Sequence, residues 1–209
     1  ATSQWQLYGV FGTEAQANWT ELLQQPLKES TPQAVTATAT DLVLQVGTAP
    51  AQFILISAPN RLPTSASPEV WQALEIERGR PTLVSGTLEE YVPQMLNVQA
   101  LDGISFTKGC YIGQETIARM KYLGRQKRAL FRLRGQGQPV QAGTTIEQQL
   151  GDNWRRAGTV INAVSRAENQ LDLLAVLPSD IDADTKLRVK DDDASLLEIY
   201  PLPYTLDET

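Results

Sequence analysis

The 209-residue sequence contains no histidine and a single cysteine, Cys110. Without histidine, these residues hold no Ser-His or Cys-His pair and no imidazole metal ligand. Acid–base work therefore falls to carboxylates, lysine, tyrosine or the thiol. One thiol makes neither an internal disulfide nor a multi-cysteine metal centre. No metal site is expected, and a reducing, cytoplasmic compartment fits. No run of eighteen apolar residues occurs, so no membrane-spanning helix is expected. The best apolar stretch, Phe53 to Ala58, is only as long as a strand. The opening ATSQWQLYGV has no basic n-region and no apolar h-region, so no signal peptide is read there. It starts on Ala rather than Met, as a processed or partial chain does.

Hydrophobic residues make up 42% and charged residues 20%, enough to bury a core without covalent staples. The net charge of −6 is unevenly spread. Between Asp102 and Arg134 stand eight basic residues (Lys108, Arg119, Lys121, Arg125, Lys127, Arg128, Arg132, Arg134) against Asp102 and Glu115, a segment of +6 that leaves −12 elsewhere. An acidic chain with one basic belt suits an anionic ligand or partner at one place better than general nucleic-acid binding.

The periodicity predicts an α+β part followed by an all-β part. WQLYGV (5–10) alternates as a strand. Thr13 with Gln16 reads as a capping box for a helix carrying Trp19, Leu22 and Leu23. Leu42–Val46 and Phe53–Ile56 read as strands paired across GTAPA. Ser67-Pro68 opens a helix that carries Trp71 and ends at Gly79. A short helix is expected from Gly113 to about Met120, and KRALFRLR (127–134) alternates as a strand with basic outward positions. Short strands at 144–147, 157–163, 171–176, 187–189 and 196–199 suggest a small β-barrel or sandwich. The domains expected are 1–124 and 125–209.

The segment TKGCYIGQETIAR (107–119) concentrates the chemistry. Gly109 and Gly113 bracket Cys110 and Tyr111, allowing positive φ or close approach of a ligand. A helix starting near Gly113, together with Lys108, favours a thiolate at Cys110. The alternative is a buried, inert thiol. Gln114 and Glu115 match the donors and acceptors of a pterin-like heterocycle, or else cap the helix. Arg119 and the cations after it suit a polyglutamate tail, a phosphate or RNA, or simply form a solvated face. Tyr111 and Tyr122 either stack a ring or pack.

The run Lys108-Gly109-Cys110-Tyr111-Ile112-Gly113-Gln114-Glu115 resembles the K-G-C-[FY]-x-G-Q-E signature of the YgfZ-like folate-binding branch of the aminomethyltransferase superfamily. The likeness extends over VPQMLNVQALDGISF (92–106) before it and Thr116 to Leu130 after it. It implies an α+β aminomethyltransferase-like fold, with a ferredoxin-like subdomain and a C-terminal barrel arranged around a folate, and a longer whole chain. It also implies that tetrahydrofolate or a one-carbon derivative is the cofactor and that the role is assistance to iron–sulfur assembly or repair. Iron–sulfur client or assembly proteins would then be the partners, with a possible link to tRNA modification. On this resemblance Cys110 and Lys108 are the functional pair, and Tyr111, Gln114, Glu115 and Arg119 contact the folate. Leu74 to Gly79 is similar to the L-R-x-E-x-G segment whose Glu contacts the pterin. This makes Glu77 a further candidate, although Glu75 stands where Arg is usual. Two other functions are carried forward: a folate-dependent aminomethyltransferase, and an RNA or protein interaction module built on the basic belt. The reading favours a monomeric, non-enzymatic factor.

Overall fold

The structure is a computed structural model and describes residues 4–12, Ala15, Trp19, and residues 35–48, 51–123 and 126–206. The proposed capping box at Thr13 and Gln16, and Leu22 and Leu23, lie outside the described residues, whereas Ala15 and Trp19 are helical. The chain divides into two compact units, Ala1–Ser67 and Pro68–Thr209. The change near residue 125 read from the periodicity lies just before the first barrel strand, which starts at Arg128. Compactness divides the chain earlier, because the 68–123 segment carries its apolar side chains into the barrel's outer core.

The first unit holds a four-stranded antiparallel sheet of β1 (Gln6–Phe11), β2 (Val35–Ala37), β3 (Leu42–Thr48) and β4 (Ala51–Ser57), in the order β1-β4-β3-β2. Period-two alternation puts Tyr8, Val43, Phe53 and Leu55 on one face, where they bury against Ala15 and Trp19. Trp19 meets Phe53 edge to face at 5.5 Å. The turn between β2 and β3 is built around Asp41. Its carboxylate accepts hydrogen bonds from Ser57 Oγ and, at 2.9 Å, from Thr40 Oγ1, and it pairs with Arg61 at 3.6 Å. Burial works against the ionised form, but these hydrogen bonds and the Arg61 charge outweigh it and lower the Asp41 pKa.

The second unit is a closed six-stranded barrel in the order β10-β5-β8-β7-β6-β9. Its strands are β5 (Arg128–Gln136), β6 (Thr145–Leu150), β7 (Asn153–Ser165), β8 (Gln170–Pro178), β9 (Leu187–Val189) and β10 (Leu196–Tyr200). The expected short strands are all present, most of them longer than predicted. Leu133, Ile146, Leu171, Leu173, Leu177 and Leu187 fill the interior. The outward residues Leu130, Ile161, Val164, Leu174 and Val176 form a second core with Ile76 and Leu96. Ile76 comes from α1 (Pro68–Glu77), which begins on its proline as predicted, and Leu96 from the short 3-10 turn Pro93–Leu96. The chain leaves α1 through Gly79 at φ 63°, where a Cβ would lie 2.5 Å from Leu202 and 2.7 Å from the Tyr204 hydroxyl. Only glycine meets both demands.

Two buried asparagines dock irregular segments onto the barrel. Asn97, at φ 56°, donates from Nδ2 to the Leu130 carbonyl at 2.8 Å and accepts from the Leu130 N–H at 3.1 Å. Its amide thus replaces a strand where β10, which pairs β5 only from Arg132 to Gln136, no longer reaches. Asn162, at the bulge in β7, makes the same two-bond pairing with the Thr82 backbone at 2.9 and 2.8 Å. At Leu130 these hydrogen bonds satisfy backbone atoms that burial would otherwise leave unpaired.

Candidate functional site

The signature segment forms an open loop leading into α2 (Gln114–Leu123). The helix starts one residue after the expected Gly113 and runs to Leu123. Gly113 takes φ 86°, the Gln114 N–H bonds to the Tyr111 carbonyl at 3.2 Å, and the Ile117 N–H to the Gly113 carbonyl at 3.2 Å. Ser105 holds the loop's base: its Oγ accepts from the Lys108 N–H at 3.1 Å, and its carbonyl accepts from the Tyr111 hydroxyl at 3.3 Å. Cys110 is exposed, which separates it from the buried, inert alternative. A Cβ on Gly109 would meet nothing within 4 Å, so the loop around the thiol is open rather than packed.

Lys108 and Tyr111 are brought together, the ammonium lying 4.6 Å from the ring centroid. Gln114 and Glu115 occupy the first turn of α2, and Arg119 lies on its exposed side. None of these three makes a side-chain hydrogen bond or ion pair with another described residue. An amide, a carboxylate and a guanidinium are therefore open to a ligand. Helix α2 is tied to the barrel's outer core through glutamines. Gln94 Nε2 donates to the Ile117 carbonyl at 2.8 Å, and Gln126 Nε2 donates to the Gln94 carbonyl at 2.5 Å.

Glu77 lies in a different cluster. Its Oε1 is shared by Arg166 at 2.9 Å, Arg134 at 3.4 Å and Arg132 at 3.7 Å. Beneath it, Asp172 receives Arg132 in a two-bond fork of 3.1 and 2.9 Å, and also pairs with Arg134 at 3.2 Å and Arg166 at 3.3 Å. The Tyr200 ring lies 4.5 Å from the Arg134 guanidinium and 5.4 Å from that of Arg132. Burial opposes the charge of Arg134, but Asp172 raises its pKa overall, by hydrogen bond and by charge, with Tyr200 adding to it. Strand alternation explains the cluster. Arg132 and Arg134 point outward from β5, and the pairing of Arg134 with Asp172 sets both on one face. The basic outward positions are thus outward from the barrel, but Arg132 is 7% exposed and neutralised rather than solvated. No hydrogen bond or ion pair among the described residues joins Glu77 to the signature loop.

Arg132 and Arg134 were expected as part of the belt and as basic outward positions of the 127–134 strand, not as partners of Glu77. Asp172, Arg166 and the two asparagine clamps were missed, because apart from the Arg166–Asp172 pair their partners lie tens of residues away in the chain. The outward alternation of 127–134 was the available signal for Arg132 and Arg134; nothing local marked Asn97 or Asn162. Among the described residues, no group of three or more His, Cys, Asp or Glu side chains is placed to hold a metal ion. A recess of about 620 Å³ at the β6–β7 turn is lined by Gln148, Asp180, Asp182, Asp184 and Lys186 among others, and contains none of the predicted site residues.

Comparison with known proteins matches residues 126–192 to the family described as YgfZ, beta-barrel domain. The tRNA-modifying protein YgfZ of Serratia proteamaculans is 52% identical over 139 residues, covering 66% of this chain and 42% of that protein. The protein of the same name from Yersinia pseudotuberculosis is 39% identical over 213 residues, covering 97% of this chain and 64% of that protein. The chain thus spans 42% to 64% of the length of these relatives. Among solved structures, the glycine cleavage system aminomethyltransferase T of Bartonella henselae superposes with a TM-score of 0.65 at 13% identity, covering 95% of this chain and 59% of that one. This is a likeness of fold.

Proposed function

This chain is a YgfZ-like protein with the aminomethyltransferase fold, and from that premise we propose that it serves as a folate-binding factor assisting iron–sulfur proteins, with a link to tRNA modification. The observation that carries the reading is the signature loop: an exposed Cys110 flanked by the Lys108–Tyr111 pair and followed at once by unpartnered Gln114, Glu115 and Arg119. The donor set fits tetrahydrofolate. Gln114 and Glu115 match the pterin edge, Tyr111 offers a ring face, and Arg119 suits the carboxylates of the glutamate tail. Bound tetrahydrofolate supplies a carrier for a one-carbon unit. Glu77 fits less well as a pterin contact, since one of its oxygens already faces three guanidiniums. Its role is to close the Arg132–Asp172 cluster.

Cys110 is the functional thiol of this reading, and Lys108 sets the charge beside it. A cluster needs several thiolates, and these residues supply one, so any cluster contact is transient or shared with thiolates from outside them. The relatives named tRNA-modifying protein YgfZ support the tRNA link. Titration of the chain with tetrahydrofolate, followed by tryptophan fluorescence, tests the cofactor. A saturable change that weakens in Arg119→Ala is expected, and no saturable change would count against folate binding. Formaldehyde release from a methylated amine that persists in Cys110→Ala would favour the aminomethyltransferase reading instead.

A further inference from the structure

The basic belt read from the sequence is not one surface. Arg132 and Arg134 are committed to Asp172 and Glu77, and Arg128 donates to the Ala157 carbonyl at 3.2 Å. Lys108, Arg119, Lys121 and Lys127 make no ion pair among the described residues. Two of these are interleaved with rings. Lys108 lies over Tyr111 at 4.6 Å, and Lys121 lies 4.0 Å from the Phe106 centroid and 5.6 Å from that of Tyr122. Phe106 and Lys108 stand two residues apart in one segment, so the Lys108–Tyr111 pair and the alternating Phe106, Lys121 and Tyr122 are joined by that segment. Tyr122 is 68% exposed, a large aromatic surface left to water. Arg119 is exposed three positions before it on the same helix.

We propose that the surface formed by Phe106, Lys108, Tyr111, Arg119, Lys121 and Tyr122 binds a single-stranded segment of RNA, with the cations on phosphates and Tyr122 stacked on a base. This rests on the tRNA-linked part of the reading above, and names the surface and the strand state it takes; the folate part is not needed. The alternation is what selects the ligand. A single strand repeats a phosphate and an accessible base face, which matches cations set between rings. A duplex offers the phosphates but hides the base faces, and an acidic peptide has no use for the exposed ring. The acidic remainder of the chain disfavours binding of a polyanion elsewhere.

The test uses the full chain and fluorescence anisotropy with three probes: a labelled short oligouridine, the same strand annealed to oligoadenosine, and labelled tRNA. Tyr111 and Arg119, shared with the folate donor set, are left intact. The single strand is expected to bind more tightly than the duplex. Tyr122→Ala is expected to weaken it about tenfold, with Tyr122→Phe close to the parent. Lys121→Ala is expected to reduce the slope of log affinity against log salt by about 0.7. Lys190→Ala, on the exposed rim of the barrel, is the control and should change neither. Thermal melting confirms that each variant is folded. Equal binding of single strand and duplex, or a folded Tyr122→Ala that binds like the parent, overturns the proposal. Displacement by polyglutamate as efficient as by RNA also overturns it, and makes this an acidic-protein surface. Binding of tRNA without binding of oligouridine sinks the surface assignment while the tRNA link survives; binding of neither sinks both.

Discussion

Asn97 carries more structure than its surroundings in the sequence suggest. Its side chain makes both hydrogen bonds with the Leu130 backbone, in a fully buried position. Replacing it by Ala strands a buried N–H and a buried C=O and puts alanine, which tolerates the left-handed region less well than asparagine, at φ 56°. Asn97→Ala is therefore expected to cost about 2–4 kcal/mol in urea unfolding. The arginine cluster separates a buried from a partly exposed acid in the same way. Asp172→Ala leaves three guanidiniums without their buried counter-ion, an expected loss of about 3–5 kcal/mol. Glu77→Gln removes a carboxylate whose side chain is 37% exposed, an expected loss of no more than about 1 kcal/mol. If Glu77→Gln proved as damaging as Asp172→Ala, the division of roles within the cluster would be wrong. Glu77 was legible as a residue of interest from its L-x-x-E-x-G setting. Its partners were not, because Arg132, Arg134 and Arg166 reach it only once β5, β7 and β8 are registered against one another.

At the scale of elements, strand alternation and helix punctuation were largely legible. Pro68 and Gly79 bound α1 as proline at a helix start and glycine past its end do, and KRALFRLR has the period of a strand. The sequence did not show what the alternate positions face. In β5 the inward Leu133 meets the barrel core, while the outward Leu130 meets a second core supplied by α1 and the 3-10 turns. The β2–β3 turn gives a pH prediction. Asp41 has its pKa lowered by Ser57, Thr40 and Arg61 against the effect of burial. A lowered carboxylate stabilises the fold fully above its ordinary value of 3.8, and that stability is lost as pH falls through the lowered value. Asp41→Asn is expected to lower stability near neutrality and to flatten the acid limb, measured by urea denaturation across pH. An unchanged acid limb would mean that Asp41 does not carry it.

For the whole molecule, closure of the barrel depends on two glycines where strands approach. A Cβ on Gly135 would lie 1.8 Å from the Leu196 carbonyl oxygen, and one on Gly158 would lie 1.9 Å from that of Val176. Gly135→Ala or Gly158→Ala is expected to destabilise the barrel by about 3 kcal/mol or more. Gly109→Ala, in open space on the signature loop, should stay within about 0.5 kcal/mol of the parent by thermal melting. Glycines of the barrel thus serve packing, whereas Gly109 answers to no packing demand. We propose that the exposed Cys110 belongs to a folate-dependent site. Alkylation of Cys110 with and without tetrahydrofolate tests it most directly, since the chain has only one thiol to label. Tetrahydrofolate is expected to slow alkylation in a saturable way, and Arg119→Ala to weaken the protection. An alkylation rate indifferent to tetrahydrofolate at every concentration would contradict it.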